Sequence, residues 1–399
     1  MANLNTAPED LSGVALDMTP EEPPGPRVVV APDTFKGSMS AKYVTEHLAL
    51  GLQRAMDHID VVPVPMADGG EGTVQAALSA GMQAVDVTVT GPLGSPVRAR
   101  YASDGRRAVI ELAQAAGLHL SSTDAVAARR ATTYGVGELM RHALDAGVGS
   151  LVLAVGGSAT TDGGAGMLQA LGATLHPAAS RGGAALADLQ QVDLDGLHPR
   201  LAQVEIILAS DVDNPLLGTD GAAAVYGPQK GAGPAEVQAL EAGLHRWVQV
   251  LGEAGADAEA LAATPGAGAA GGAGFAALLV GAHRRPGVEV VLELVDFRRQ
   301  VRGADLVITG EGSLDEQSLS GKTPVGVAAA AWDAAVVTVA VVGVNALSPQ
   351  QVEDSGFAAV YALSDLEPDV ERSKARVGEL LERMAARIAP AHLWVDLDR

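Results

Sequence analysis

The sequence contains no cysteine. Disulfide bonds, thiolate metal sites and thiol nucleophiles are therefore excluded. It also lacks any apolar run of the roughly 18 residues that would be needed to span a bilayer. Residues 1–26 are acidic and rich in proline, and they lack the basic and apolar regions of a signal peptide. We interpret them as a flexible extension, and we expect a cytoplasmic protein with no membrane partner.

Positive charge is scarce, and lysine is the scarcest carrier of it. The formal net charge is −21, and five of the 27 basic residues are lysines. Such an acidic chain disfavours nucleic-acid binding, which needs a basic face. Lys36, Lys230 and Lys322 each have a glycine neighbour. One interpretation is that arginine has replaced most lysines in this chain and that these three remain by chance. The other is that they remain because a compact ammonium group binds an anionic ligand at these positions. We favour ligand binding for Lys36 and Lys322 and leave both interpretations open for Lys230.

Alternation between short β-branched segments and amphipathic helical segments is the main pattern of the chain. Strands are predicted at residues 28–31, 61–64, 151–155, 204–209, 305–308 and 336–342. Helices are predicted at residues 40–56, 71–78, 133–146, 164–171, 236–252 and 374–388. This alternation is typical of an α/β fold with a doubly wound parallel sheet of the Rossmann or flavodoxin type. Three close-spaced strands at 85–90, 97–102 and 108–111 instead predict a β-meander, which marks a second domain.

Five polar, glycine-rich segments follow predicted strands, which is where ligands bind in open α/β sheets. The most informative one, residues 309–326, carries Glu311, Asp315 and Lys322 between a buried strand and a helix predicted to begin at Pro324. Carboxylates, exposed backbone and one lysine are suited to a metal and a phosphate. An earlier segment places Asp33 and Lys36 after the first strand, although an ordinary turn with a solvated lysine would have the same sequence.

Two further segments combine glycine with carboxylates or hydroxyls. Asp68 and Glu71 flank a glycine pair, which either stabilises a helix N-terminus or lets a ligand approach the backbone. In residues 155–167, glycines alternate with polar side chains; the candidates are Gly156, Gly157, Ser158, Thr160, Asp162, Gly163 and Gly164. We predict a phosphate-binding cradle there, with tight packing of the loop against its own helix as the alternative. Neither a dinucleotide-binding G-x-G-x-x-G nor a P-loop is present.

Asp211 and Asp213 stand on alternate residues after another predicted strand. Their oxygen atoms are typical ligands for Mg²⁺. An Asx-turn before Pro215 is the structural alternative. The histidines have no metal-ligand spacing, so zinc chemistry is not expected.

In order along the chain, APDTFKGSMSA, PMADGGEGT, VGGSATTDGGAGMLQALG, SDVDNPL, YGPQKGA and TGEGSLDEQSLSGKTPVGVA resemble the motifs of the bacterial glycerate kinase family, type-1 group. The resemblance covers residues 27–390. It implies ATP-dependent phosphorylation of D-glycerate, usually at the 2-hydroxyl, with Mg²⁺. It also implies two α/β domains with the site in their cleft, which we place at residues 27–66 with 290–399 and at residues 67–289. Ser313 and Ser318 replace the Arg and Thr usual in that family, and the first change removes a potential anion-binding group.

Phosphoryl transfer needs mainly positioning and charge neutralisation, which the candidate residues can supply. We expect Mg²⁺ at Asp211, Asp213 or Glu311. Lys36 and Lys322 are the candidates for offsetting negative charge, and Asp68 or else Asp315 for accepting the hydroxyl proton. The cradle, with Lys230, would bind the nucleotide.

Two other functions use a similar α/β crevice. A nicotinamide-dependent hydroxyacid oxidoreductase is disfavoured because no G-x-G-x-x-G follows the first strand. A non-catalytic anion sensor is the second alternative, and ATP turnover would exclude it. We expect small-molecule ligands, ATP and D-glycerate, and the sequence is compatible with a homodimer.

Overall fold

The computed structural model describes residues 25–177 and 182–393. Residues 1–24, which make up most of the predicted flexible extension, lie outside the described residues. The described part contains two larger sheets and one small one. Its strands are β1 Arg27–Pro32, β2 Asp60–Pro63, β3 Gln83–Thr90, β4 Pro96–Ser103, β5 Arg107–Glu111, β6 Ser150–Ala154, β7 Thr174–His176, β8 Gln191–Asp193, β9 Glu205–Ala209, β10 His283–Arg285, β11 Leu306–Leu314, β12 Thr338–Asn345 and β13 Ala359–Ala362.

Helices cover both larger sheets. They are α1 Ala41–Ala55, α2 Thr73–Ser79, α3 Ala113–Ala116, α4 Ala125–Arg130, α5 Tyr134–Asp145, α6 Ala165–Ala170, α7 Ala222–Tyr226, α8 Pro234–Glu253, α9 Ala258–Ala263, α10 Ala269–Leu279, α11 Gly287–Leu294, α12 Phe297–Gln300, α13 Thr323–Trp332, α14 Pro349–Asp354, α15 Val370–Ala375 and α16 Val377–His392. None of the described helices combines the length and the apolarity needed to cross a membrane.

The first sheet is parallel throughout, in the order β13-β12-β11-β1-β2. Alternate residues of its central strands face opposite layers. Val28 and Val30 pack with α1 and α16 on one side, whereas Val29 and Ala31 pack with α12 and α13 on the other. Burial on both faces explains why these strands are apolar at nearly every position. The predicted doubly wound parallel sheet is therefore confirmed.

The second sheet has the order β10-β9-β6-β5-β4-β3 and is mixed. β10, β9, β6 and β5 are parallel, and β4 and β3 add an antiparallel edge. The predicted β-meander is thus correct for β3 to β5, and it forms the edge of this larger sheet. Small strands β7 and β8 pair separately.

One strand differs from its prediction in length. The sequence predicts that the strand at residue 305 ends by residue 308, but β11 continues to Leu314. The extension is possible because its glycines let neighbouring backbone come close. A Cβ on Gly310 would collide with the Val341 carbonyl oxygen, and one on Gly343 would collide with that of Gly312.

The chain passes between the two sheets at two places that touch each other. The strands of the first sheet lie within residues 27–63 and 306–362, and those of the second within residues 83–285. The connecting segments meet where Gly287 packs on the Asp68 carbonyl, leaving no room for a Cβ. The exact domain boundaries, 66/67 and 289/290, remain a prediction.

Candidate active site

A cavity of about 540 Å³ lies where the carboxyl ends of the first sheet face the second sheet. The strand order explains its position. β1 and β11 are neighbours at the centre of the sheet. The strand after β1, β2, lies on the far side of β1, and the strand after β11, β12, lies on the far side of β11. Such a switch point leaves a crevice between the two loops that follow the strands. The loops nearly touch, since a Cβ on Gly312 would lie 3.2 Å from the Lys36 backbone nitrogen.

Six carboxylates line this cavity: Asp33, Asp68, Glu71, Glu311, Asp315 and Glu367. Asp33 is the most strongly perturbed of them. Burial, followed by the negative charge of Asp68, raises the pKa of Asp33 to about 8. Its Oδ1 accepts a hydrogen bond from the Thr34 backbone N–H at 2.5 Å, and its Oδ2 accepts one from the Thr323 hydroxyl at 2.5 Å. The folded protein therefore favours a protonated Asp33 carboxyl at neutral pH.

Glu311 extends into the same cavity from β11 with unused hydrogen-bonding capacity. Burial raises the pKa of Glu311, while Ser318 and the positive charge of Lys322 act in the opposite direction. Its Oε1 is buried and has no hydrogen-bond partner among the described residues. A buried carboxylate oxygen without a partner is costly unless a cation or donor binds there. Asp315, by contrast, accepts hydrogen bonds from the backbone N–H groups of Gln317 and Ser318.

Two lysines face these carboxylates. Lys36 follows β1, and Lys322 immediately precedes α13; both line the cavity. Neither ammonium group forms an ion pair with a described residue. The cavity thus combines acidic groups with two cations that are available for an anionic ligand.

Only the beginning of the predicted phosphate cradle contributes to the cavity among the described residues. Gly156 and Gly157 line it, and Gly156 packs against Gly70 from the segment between the sheets. Ser158 is nearly buried and forms an isolated bridge with Gly117. Thr160 is buried and its carbonyl accepts a hydrogen bond from Lys230.

The rest of that loop is used for internal packing. Asp162 is buried and accepts hydrogen bonds from the backbone N–H groups of Thr133 (2.8 Å), Gly164 and Gly166. Burial raises the pKa of Asp162. Gly163 packs against Trp247, and Gly164 packs against α10. The alternative interpretation, a loop packed tightly against its helix, describes this part of the segment.

Lys230 is also an internal residue. Its side chain is buried, and Nζ donates a hydrogen bond to the Thr160 carbonyl oxygen at 2.5 Å. Burial lowers the pKa of Lys230 to about 7, with Asp162 acting in the opposite direction. It is therefore positioned to stabilise the loop, and it does not reach the cavity.

Asp211 and Asp213 line a second cavity of about 870 Å³ beside the first. Asp211 accepts a hydrogen bond from the Gly287 backbone N–H at 2.7 Å, and burial raises its pKa to about 6, with a further contribution from Asp68. Asp213 pairs with Arg284 at 2.7 Å. The three metal ligands predicted from the sequence are thus divided between two cavities. Across the described ranges, no three acidic or histidine side chains form a group that could hold a metal ion.

Sequence reasoning missed two features of the site. It placed Asp33 in the first loop without selecting it, although that residue directly follows the strand at the switch point. It also missed the apolar end of the cavity, formed by Val344, Leu363, Pro368 and Val370. The apolar residues of that wall are scattered over two segments, so no local pattern identifies them.

Comparison with known proteins is consistent over nearly the whole chain. The model of the glycerate kinase family matches residues 28–393. A glycerate kinase of Halalkalibacterium halodurans is 42% identical over 376 residues, which cover 92% of this chain and 98% of that protein. The glycerate 2-kinase of Escherichia coli is 42% identical over 311 residues, covering 76% of this chain and 81% of that protein. A solved Salmonella typhimurium LT2 structure described as glycerate kinase 2 has a TM-score of 0.77 and 39% identity, covering 92% of this chain and 98% of that one.

Proposed function

The chain belongs to the glycerate kinase family, and from this premise we propose that it transfers the γ-phosphoryl group of ATP to the 2-hydroxyl of D-glycerate. The observation that carries the proposal is the cavity at the switch point, where Lys36 and Lys322 lie among carboxylates without an ion pair of their own. One relative is named for the 2-kinase reaction. The product is accordingly proposed to be 2-phosphoglycerate.

Lys36 and Lys322 have the charge that phosphoryl transfer needs. The transferred group carries negative charge on its equatorial oxygens, and ammonium groups near them stabilise the transition state. Both lysines come from loops of the first sheet, on either side of the crevice. We assign them to the phosphate oxygens and to the glycerate carboxylate.

The acceptor hydroxyl must lose a proton as its oxygen attacks the γ-phosphorus and the bond to the bridging oxygen of ADP breaks. We assign this proton to the Asp33–Asp68 pair. Asp33 has a pKa near the neutral range, which suits a group that exchanges protons during turnover. Asp68 lines the same cavity and is close enough to Asp33 to contribute to its raised pKa. Asp315 is the less suitable candidate because its Oδ1 already accepts hydrogen bonds from two backbone N–H groups, which favour the ionised carboxylate and weaken it as a base.

The residues present fit a magnesium ion that shares its coordination with the nucleotide. Glu311 has a buried oxygen without a partner, and Mg²⁺ usually takes one or two carboxylates together with phosphate oxygens and waters. When bound, the ion would neutralise phosphate charge. We therefore assign Glu311 as its protein ligand. Asp211, another of the ligands that the sequence suggests, lines the second cavity. A homodimer and a cytoplasmic location remain predictions from the sequence.

Phosphorus NMR of a reaction with ATP, Mg²⁺ and D-glycerate tests the reaction and its product together. We expect ADP and 2-phosphoglycerate to appear. The 3-phosphate would correct the position of transfer, and absence of any phosphoglycerate would refute the proposed function. In the latter case, an absorbance change with NADH and hydroxypyruvate would identify the oxidoreductase instead.

Two variants test the assigned residues. Lys322→Ala removes a cation from the cavity and Asp68→Asn removes a carboxylate, and we expect each to lower kcat by at least about tenfold, or roughly 1.4 kcal/mol. Lys42→Ala, at an exposed lysine of α1, is the matched control and should retain normal kcat. A loss well below tenfold would remove Lys322 or Asp68 from the catalytic residues.

A further inference from the structure

One end of the candidate active-site cavity is lined by the core residue Leu363 and by exposed apolar side chains that the core does not explain. Val344 lies near the end of β12, and Val370 is the first residue of α15. Both are among the large hydrophobic residues left exposed, at 41% and 53%. Leu363 and Pro368 complete this surface, which we call the apolar wall. Exposed apolar groups that converge on a cavity are typical of a small-molecule site.

The apolar wall and the charged groups belong to one continuous cavity. Lys36, Lys322 and most of the carboxylates line the end at β1 and β11, whereas the apolar wall follows β12 and β13, farther out in the same sheet. Two charged groups also line the cavity at the apolar wall, and both are already paired: Glu367 with Arg376 and Lys374 with Glu371. A ligand that fills the whole cavity therefore needs an anionic end and an apolar end. Glycerate is small and polar throughout, so it has no group for the apolar wall. A nucleoside triphosphate has both.

Polar groups suited to the edge of a base lie beside the apolar wall. Ser364 and Ser373 are half-buried and line the cavity, and their hydroxyls form no hydrogen bond with any described residue. A hydroxyl can both donate and accept a hydrogen bond. A few polar groups of this kind within an apolar surface commonly fix the orientation of a bound ring.

The neighbouring 870 Å³ cavity is less suited to a base. Four of its charged side chains are already paired, Arg284 with Asp213 and Arg285 with Glu293. A ring placed there would have to replace or cover these ion pairs, at a cost in desolvation.

We propose that the apolar wall of Val344, Leu363, Pro368 and Val370 binds the nucleoside of the phosphoryl donor. Its base lies on the valines, with Ser364 and Ser373 at its edge, and its phosphates extend toward Lys36 and Lys322. This inference rests on the proposed function, because that function supplies the nucleotide. It goes further by separating the base site from the phosphate site within the cavity.

Calorimetric binding to the full-length protein separates the two sites. MgATP reports on base and phosphates together, whereas magnesium tripolyphosphate reports on the phosphates alone. We expect Val370→Asn, which is neutral and therefore does not repel phosphate, to weaken MgATP binding by about tenfold and tripolyphosphate binding by less than about twofold. Val344→Asn, on a different element, should have the same pattern.

Val126→Asn is the matched control. Val126 is exposed like Val370, and it lies in the first turn of a helix of the same length, α4, behind an aspartate N-cap. This variant should leave both affinities unchanged. In turnover, Val370→Asn should raise KM for ATP without raising KM for D-glycerate.

Several outcomes would overturn the inference. Unchanged MgATP affinity in both Val370→Asn and Val344→Asn would show that the base binds elsewhere. An equal loss for ATP and tripolyphosphate would indicate a general disturbance of the cavity, and a raised KM for D-glycerate alone would assign the wall to the acceptor. If the wild type binds ATP but phosphorylates no glycerate, the proposed function fails while the calorimetric comparison still decides the base site.

Discussion

Asp33 makes the stability of the ligand-free protein depend on pH in one direction. The folded protein holds the proton of Asp33 up to about pH 8, whereas the unfolded chain loses it near the ordinary value of 3.8. Between these values the folded state binds more protons. The contribution of Asp33 to the free energy of unfolding therefore falls as pH rises, by at most about 1.4 kcal/mol per pH unit. We expect Asp33→Asn to gain stability relative to wild type between about pH 5 and about pH 7.5, measured by urea unfolding without ATP or Mg²⁺.

Asp86→Asn is a control with the opposite kind of shift. Hydrogen bonds from Arg100, the largest of several causes, lower the pKa of Asp86 to about 2. Asp86 is thus ionised in both folded and unfolded states over the whole pH range of the experiment. Its replacement should change stability by the same amount at each pH. If Asp33→Asn also gave a pH-independent difference, the proton assigned to Asp33 would lie elsewhere.

Which candidate side chains face the cavity could be predicted only in part. Lys36, Glu311 and Lys322 follow or end strands at the switch point, so their position at the cavity follows from the pattern of the sequence. Asp162 and Lys230 occur in equally polar, glycine-rich segments, yet both are buried. Local sequence does not tell whether a polar side chain faces solvent or a partner that is distant in sequence, such as Thr133 for Asp162.

Lys230 links two loops of the second sheet, and its pKa makes that link sensitive to pH. Its ammonium group loses a proton near pH 7 in the folded protein and near 10.5 in the unfolded chain. Between these values the unfolded state binds more protons, so this lysine adds to stability as pH rises, by at most about 1.4 kcal/mol per pH unit. We expect Lys230→Met to lack this gain. Wild type should therefore improve relative to the variant between about pH 7 and about pH 9 in urea unfolding.

A difference of the reverse sign would contradict the assignment. If Lys230 remained protonated in the folded state throughout this range, wild type and Lys230→Met would have parallel pH profiles. Lys42→Met controls for the loss of a lysine at an exposed site in α1. Other titrating groups are common to all three proteins and cancel in the comparison.

Strand and helix positions follow from the sequence where periodicity is strong, and fail where glycine intervenes. The helix predicted at residues 40–56 is observed as α1 Ala41–Ala55, because its apolar residues repeat on one face. Ser40 does precede that helix, but its side chain forms no capping hydrogen bond. From sequence alone, the glycines of β11 predict the end of a strand. They instead permit close backbone packing, which depends on β12 and on the loop after β1.

At the scale of the whole molecule, the alternation of strands and helices predicted the parallel sheets, but not their strand orders. β1 lies between β2 and β11 in the sheet. Val28 of β1 pairs with Leu306 of β11, although the two residues are nearly 280 positions apart in the sequence. Local periodicity contains no information on such a pairing. The prediction that both chain ends form one domain depends on the resemblance to the glycerate kinase family.

The predicted division into two domains has a consequence for which part of the chain folds alone. The largest hydrophobic core is built from residues between 89 and 282. In contrast, the core beside α1 and α16 needs residues 28–52 together with residues 306–393. A fragment of residues 67–289 therefore retains its main core and also α2, although it loses the cover that Val290 gives to the other face of the sheet.

We expect the fragment of residues 67–289 to unfold cooperatively in urea, with lower stability than the full chain, as followed by circular dichroism. A fragment of residues 290–399 is the control, and it should lack a cooperative transition because β1, the neighbour of β11, and helix α1 are missing. If residues 67–289 also failed to fold, the two sheets would form one cooperative unit. The contact between Gly287 and the Asp68 carbonyl would then be part of a common core. Motion of one sheet relative to the other would require partial unfolding, because the two connecting segments could not simply bend.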